Sequence, residues 1–206
     1  MLAIILPAAR ASAILCILLG LVYPLVVTGL AQLVFPDEAR GSLITRADGT
    51  VIGAHLIGQQ WQGPEWFHGR PSATTRTSPN DPTATIPAPY NAANSGGSNL
   101  GPSSLALVER LAADRKTLDQ EQPELAGKPI PADALTTSAS GLDPDISPAF
   151  AAMQVARVAQ ARGLTQDLVA TAVARHTTGR ALGIFGEPRV NVLELNLDLA
   201  KAYPKL

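Results

Sequence analysis

Cysteine is nearly missing from this chain: Cys16 stands alone among 206 residues, so no internal disulfide can form. Charge of either sign is also scarce. Lys and Arg number 16 against 17 Asp and Glu, for a formal net charge of -1, which gives no cationic surplus to hold nucleic acid. The three histidines, His55, His68 and His176, lie far apart and lack the paired spacing of a zinc site, so no metal ligands are expected. No G-x-x-x-x-G-K-[ST] loop and no G-x-S-x-G elbow occurs, which removes the usual signatures of a phosphate-binding loop and a serine hydrolase. No internal repeat is apparent.

What the chain does have is one long uncharged run. No charged residue interrupts it between Arg10 and Asp37. Residues 11–35 rise about 1.5 Å each as a helix, which outlasts the roughly 30 Å hydrocarbon core of a bilayer. A cleaved signal peptide is the alternative. It requires a shorter apolar region and a small-x-small site, which Gln32-Leu33-Val34-Phe35-Pro36 does not offer. The expected fold class is therefore a membrane-anchored α+β protein. Residues 1–10 form a short cytoplasmic tail, 11–35 a transmembrane helix, and 36–206 one mixed α/β extracytoplasmic domain with a small sheet. The free amine and Arg10 precede the run, and Asp37-Glu38-Ala39-Arg40 follows it. The basic side belongs in the cytoplasm, so the main domain is expected outside.

The anchor is not uniformly aliphatic. Ser12, Cys16, Gly20, Pro24, Thr28 and Gln32 recur at steps of four, and every one is small, polar or helix-perturbing. Such a row forms a ridge on a helix, and in lipid small residues admit a second backbone. The ridge reads as a docking face for another membrane protein; the plainer reading is an anchor with scattered small residues. Pro24 removes one helical hydrogen bond, that to the Gly20 carbonyl, and predicts a kink.

Beyond the anchor, Leu43-Ile44-Thr45-Arg46 and Thr50-Val51-Ile52 flank Ala47-Asp48-Gly49, which predicts a hairpin. Trp61, Trp66 and Phe67 read as core or as a lid over it, with a ligand platform as the alternative. Residues 69–104 form a long polar, proline-rich loop that is either mobile or ordered for a purpose. A helix is expected over about 103–118, a solvated linker over 120–128 and a short strand over 134–137. Ser147 with Pro148 opens a helix that Gly163 ends, and Thr165 caps another that reaches to near Gly179. The tail from Val190 to Tyr203 alternates like a strand, yet Asn191 and Glu194 have the spacing of a helix cap; helix is the preferred reading.

Two polar stretches are candidates for chemistry. Ser95, Gly96, Gly97, Ser98 and Asn99 form a glycine-rich loop that is a turn, an anion cradle or a subunit contact. Ser138, Ser140, Asp143 and Asp145 form the second. Its paired carboxylates suit acid-base work, though turn and cap duty explains them equally well. No catalytic residue is assigned.

An ordered set of short motifs carries a resemblance. It comprises Tyr23-Pro24, Phe35-Pro36, Gly41-Ser42-Leu43-Ile44, Leu56-Ile57-Gly58-Gln59, Phe67-His68-Gly69-Arg70-Pro71-Ser72-Ala73, Ser95-Gly96-Gly97-Ser98-Asn99-Leu100, Ser138-Ala139-Ser140-Gly141-Leu142-Asp143, Ile146-Ser147-Pro148, Arg157-Val158-Ala159 and Glu187-Pro188-Arg189-Val190-Asn191-Val192. Taken together, the set resembles the C subunit of the Kdp potassium-transporting P-type ATPase over almost the whole chain. Residues 75–89 depart from that pattern, being longer and richer in proline. The resemblance implies a non-catalytic subunit of a bacterial or archaeal inner-membrane potassium uptake complex. Its partners would be membrane lipid, a potassium-channel-like subunit and a subunit that hydrolyses ATP. It further implies a role in assembly and as a catalytic chaperone that raises the ATP affinity of the hydrolysing subunit, with no cofactor held stably by this chain and ATP acting through the complex. An outer domain sees no ATP pool, so a place near the outer potassium entrance fits the topology better. The competing class is an anchored extracytoplasmic enzyme using the loops near Asp143.

Overall fold

The computed structural model describes residues 2–203, which fall into two compact units divided between Ala54 and His55. The first unit is dominated by helix. Helix α1 (Leu2–Ile17) runs into a π-helical turn (Leu18–Val22) and then α2 (Tyr23–Val34). From Ile4 to Val34 the helix is apolar and long enough to cross a membrane, and none of it is buried within the protein. Those 31 residues would reach about 46 Å. The helix passes through the stretch read as a tail, with Pro7 inside it.

The sequence predicts a kink at Pro24; the local feature observed is the π-turn just before it. Tyr23 N–H donates to Leu18 O, a wider closure than the α pattern. A proline ring crowds the carbonyl four residues earlier, and a widened turn relieves that crowding.

After the short α3 (Pro36–Ala39), β1 (Leu43–Thr45) pairs antiparallel with β2 (Val51–Ala54). Asp48 Oδ1 accepts from Thr50 N–H at 2.9 Å, and Gly49 takes φ 82°, so the Asp-Gly turn forms where the sequence puts it. The register shifts between Ile44 and Thr45.

In the second unit, β3 (Thr75–Thr77) and β4 (Thr85–Pro87) make a hairpin inside the long polar stretch. Helix α4 (Leu105–Glu121) follows. Then come β5 (Asp145–Ile146), α5 (Pro148–Arg162), α6 (Gln166–Arg175), β6 (Thr177–Thr178), β7 (Arg189–Asn191) and α7 (Val192–Ala202). The sheet order is β5-β7-β6, with both pairings antiparallel.

The core lies almost wholly in this C-terminal part. Phe150, Ala151, Val155, Val158 and Ala159 on α5 meet Val169 and Ala172 on α6, and Leu195 and Leu199 on α7. These residues recur at three- and four-residue steps, which places them on one face of each helix. Three helices begin as the sequence predicts. Ser147 Oγ accepts from Phe150 N–H, Thr165 Oγ1 from Leu168 N–H, and Asn191 Oδ1 from Glu194 N–H. Gly163, at φ 67°, ends α5.

Two expectations need correction and two are refined. Residues 120–128 are mostly exposed, as a solvated linker would be, but they are held in place: Gln122 is buried, and Arg115 on α4 donates to the carbonyls of Leu125 and Lys128 at 2.9 Å each. Residues 134–137 form no strand. Ala134 instead closes a 3-10 turn (Ala132–Ala134), and Thr136 N–H reaches back to Ala132 O. Helix α6 stops at Arg175, because Thr177 and Thr178 pair with β7 instead. The tail is helix as preferred, from Val192 to Ala202, with only Val190 and Asn191 of it in β7, and Asn191 both ends that strand and caps α7.

Candidate functional site

The two polar stretches found in the sequence meet as one knot of loops. Gly96 N–H donates to Ser140 O at 2.8 Å, and Ser95 Oγ–H donates to the same carbonyl at 3.1 Å. Thr137 Oγ1–H reaches Ser98 Oγ at 3.4 Å. Within the second loop, Ser138 Oγ accepts from Gly141 N–H at 2.8 Å and Ser140 Oγ from Leu142 N–H at 3.1 Å. The Gly96 amide is therefore committed to protein and does not face a helix start, since α4 begins only at Leu105.

Glycine serves this knot through close approach. A Cβ on Gly97 would lie 3.0 Å from Ala139 O, although its φ is not positive. A Cβ on Gly141 would lie 2.7 Å from Gly96 O and 2.5 Å from Thr74 Cγ2, and Gly141 also takes φ 68°. The non-glycine residue held in the left-handed region in the first loop is Asn99, at φ 52°; asparagine tolerates that region better than most residues.

Arg70 ties the knot to the elements before it. Its guanidinium donates to Thr136 O at 3.2 Å, Thr137 O at 3.0 Å and Asp143 Oδ2 at 3.1 Å. Tyr90 Oη–H donates to Arg70 O at 2.8 Å, and burial, with the Asp143 charge nearby, pushes the phenol up to about 12. Ser72 Oγ–H donates to Gly141 O, and Thr74 Oγ1–H donates to Ala88 O.

The two carboxylates have separate partners. Asp143 Oδ1 accepts from Asp145 N–H at 3.0 Å, while Asp145 pairs with Arg189 at 3.0 Å. Burial raises the Asp145 carboxyl above the ordinary value despite the opposing pull of Arg189. This is turn chemistry fixed by two arginines, and the enzyme reading finds no support in it. Among the described residues, no group of three or more His, Cys, Asp or Glu could hold a metal ion.

The anchor ridge is fully presented: Ser12, Cys16, Gly20, Pro24, Thr28 and Gln32 are all exposed, and Gly20 has no atom within 4 Å of where a Cβ would sit. The π-turn changes its geometry. Steps of four drift by about 40° each on an α-helix, or about 200° from Ser12 to Gln32. A π-turn amounts to one inserted residue and removes about 100° of that drift, so the six residues share a face better than an unbroken helix would allow.

Three features escaped the sequence reading. Asn196 and Gln154 are buried amides that clamp backbone. Asn196 accepts from Phe67 N–H and donates to Phe67 O, at 2.9 Å each. Gln154 does the same for His68, at 2.8 and 3.0 Å. Beside them Trp61 and Trp66 lie 4.8 Å apart, with the Arg162 guanidinium 4.4 Å over Trp66, while Phe67 is core. The second feature is a cavity of about 210 Å³ lined by His55, Asp145, Arg175, His176 and Glu194 among others. There His55 Nδ1 meets Glu194 Oε1 at 2.5 Å, and Asn191 Nδ2–H donates to His55 O at 2.9 Å. The third is an exposed apolar loop at Leu182, Ile184 and Phe185. Only that loop had a visible signal, three large apolar residues between glycines.

The family model described as KdpC, K+-transporting ATPase, c chain, matches residues 5–201. The potassium-transporting ATPase KdpC subunit of Methylobacterium nodulans is 58% identical over 185 residues, covering 90% of each chain. That of Bradyrhizobium diazoefficiens is 55% identical over 199 residues, covering 97% of each. That of Rhodopseudomonas palustris strain BisB18 is 55% identical over 188 residues, covering 91% of this chain and 92% of its own.

Proposed function

Since the chain belongs to the KdpC family and is an accessory subunit of the potassium-transporting ATPase, we propose that its helix anchors it in the bacterial inner membrane beside two larger subunits. One is channel-like and the other hydrolyses ATP. The observation that carries this reading is the family match over residues 5–201, which takes in the apolar helix as well as the second unit. The N-terminus lies in the cytoplasm, and the main domain lies outside, by the charge of Arg10 against the flank that follows the span. The ridge from Ser12 to Gln32 docks on a partner helix, supported by its exposure and by the phase that the π-turn restores.

The fused polar loops form a neutral surface near the outer potassium entrance. An effect on the ATP affinity of the hydrolysing subunit passes through the assembled complex. Two observations favour that route over nucleotide held by this domain: the Gly96 amide is already bonded to Ser140, and the loops offer no free cationic cradle, since Arg70 is engaged by Asp143 and two carbonyls.

Purification from native membranes through a tag on this chain tests the reading; both large subunits should accompany it, and their absence would sink it. A cysteine placed by Ser103→Cys in a Cys16→Ser background should react with an impermeant reagent from the outer side. Reaction only after the membrane is broken would reverse the topology. Gly20→Leu should reduce recovery of the partners and Leu19→Ile should not; equal recovery would remove the case for the ridge.

A further inference from the structure

Between β6 and β7 the chain builds a stiff loop with an apolar tip. At its neck the Arg180 guanidinium donates to both oxygens of Glu187, at 3.0 and 2.8 Å. Ala181 and Phe185 then pair as a β-bridge, their N–H groups donating to each other's carbonyls at 2.8 and 2.9 Å. Leu182, Gly183 and Gly186 take φ values of 53°, 75° and 78°. A leucine held in the left-handed region is a strained choice, and the bridge and the neck maintain it. The result is that Leu182, Ile184 and Phe185 stand 88%, 71% and 64% exposed. Water gives no reason to hold three large apolar side chains outward on a closed loop, and such a cluster marks an interaction site.

The charges around the loop select the occupant. A wedge that inserts into bilayer gains from unpaired cations meeting anionic headgroups. Here Arg180 is paired with Glu187, Arg189 with Asp145 and Arg175 with Asp198. The Glu187 carboxylate beside the tip is itself exposed and would be repelled by anionic lipid. A neutral neck under an apolar tip suits a protein cleft with an apolar floor and a polar rim.

We propose that the loop from Arg180 to Glu187 is a preformed docking peg that inserts Leu182, Ile184 and Phe185 into an apolar cleft on the outer face of one large subunit. This rests on the assembly reading above. The loop is already closed by its bridge and ion pair, so little conformational freedom is lost on docking, and the three side chains act as the anchor of a wider contact.

The test uses the full chain in native membranes, with a photo-reactive amino acid replacing Phe185. The expected result is an adduct of this chain with one large subunit, identified by mass. An adduct with lipid would overturn the peg and make the loop a membrane wedge. No adduct, with the position freely labelled by a water-soluble reagent, would overturn it as well. In parallel, Leu182→Gln with Phe185→Gln should lower recovery of the large subunits about tenfold while the level of this chain in the membrane holds. Unchanged recovery would count against the peg. If the unaltered chain brings down no large subunit, the assembly reading falls and the peg with it; if it does and Phe185 meets only lipid or water, the peg alone falls.

Discussion

The C-terminal helices and the polar loops of the second unit are stabilised in different ways. In α5, α6 and α7, fully buried Val158, Val169, Leu195 and Leu199 hold the structure by apolar contact. Around Arg70, Ser72, Thr74, Ser138 and Gly141, large apolar side chains contribute little, and side chains bonded to backbone carbonyls and amides do the holding. Apolar packing tolerates small shifts in every direction, whereas a hydrogen-bonded loop depends on a few atoms at fixed places. The second kind of region is therefore sensitive to backbone geometry more than to volume.

The largest expected effect lies on the packed side. Leu195→Ala should cost about 3–5 kcal/mol in urea titration of the full chain in detergent, because Leu195 is completely buried among α5, α6 and α7. A loss under 1 kcal/mol would erase the distinction between the two regions.

On the loop side, a single methyl should do nearly as much harm. Gly141→Ala adds a Cβ against Gly96 O at a residue with φ 68°, and about 2–4 kcal/mol of destabilisation is expected. Gly96→Ala is the matched control, since nothing lies within 4 Å of its Cβ position and its φ is not positive. Equal melting temperatures for the two variants would show that the loops are looser than described.

Acid should weaken the seam where the regions join, at His68. Burial, reinforced by Arg157, holds this imidazole below its ordinary value, and that outweighs the opposing pull of Glu121 at 3.7 Å. Its Nε2–H donates to Gly63 O at 2.9 Å. The unfolded chain then binds more protons than the folded chain once pH falls below about 6.5. The stability from neutral His68 is complete above that pH and is lost as pH drops through the folded-state value. Denaturation midpoints at pH 7.5 and 5.5 should differ more for the native chain than for His68→Gln, and an identical difference would refute the linkage.

The smallest effect concerns Asn99. Asn99→Ala should cost about 0.5–1 kcal/mol, and Asn99→Gly should cost nothing or stabilise slightly, because only the left-handed conformation is at issue. Identical losses in both variants would instead point to the asparagine side chain.

The same contrast explains what could be read from residues alone. Ser147, Gly163, Thr165 and Asn191 act within a few positions of themselves, so their caps were legible. The Asp48-Gly49 turn and the apolar run were local as well. The ordering of residues 120–128 was not legible, because the capture of the Leu125 and Lys128 carbonyls by Arg115 leaves no periodic trace. Asn196 and Gln154 hold residues 129 and 86 positions away, a distance no spacing rule reaches. In the candidate site, the residues were visible but their fusion was not: Gly96 and Ser140 are 44 positions apart, and only the fold brings their backbones together.

Asn191 has a further consequence, a mechanical one. The backbone enters the second unit at His55, where the carbonyl is tied to Asn191 and the ring to Glu194. A pull transmitted along the chain from Ala54 therefore arrives first at the start of α7, whose Leu195 and Leu199 are rooted in the core. The first point of attachment is thus a helix packed into the core, ahead of the hydrogen-bonded loops that follow along the chain.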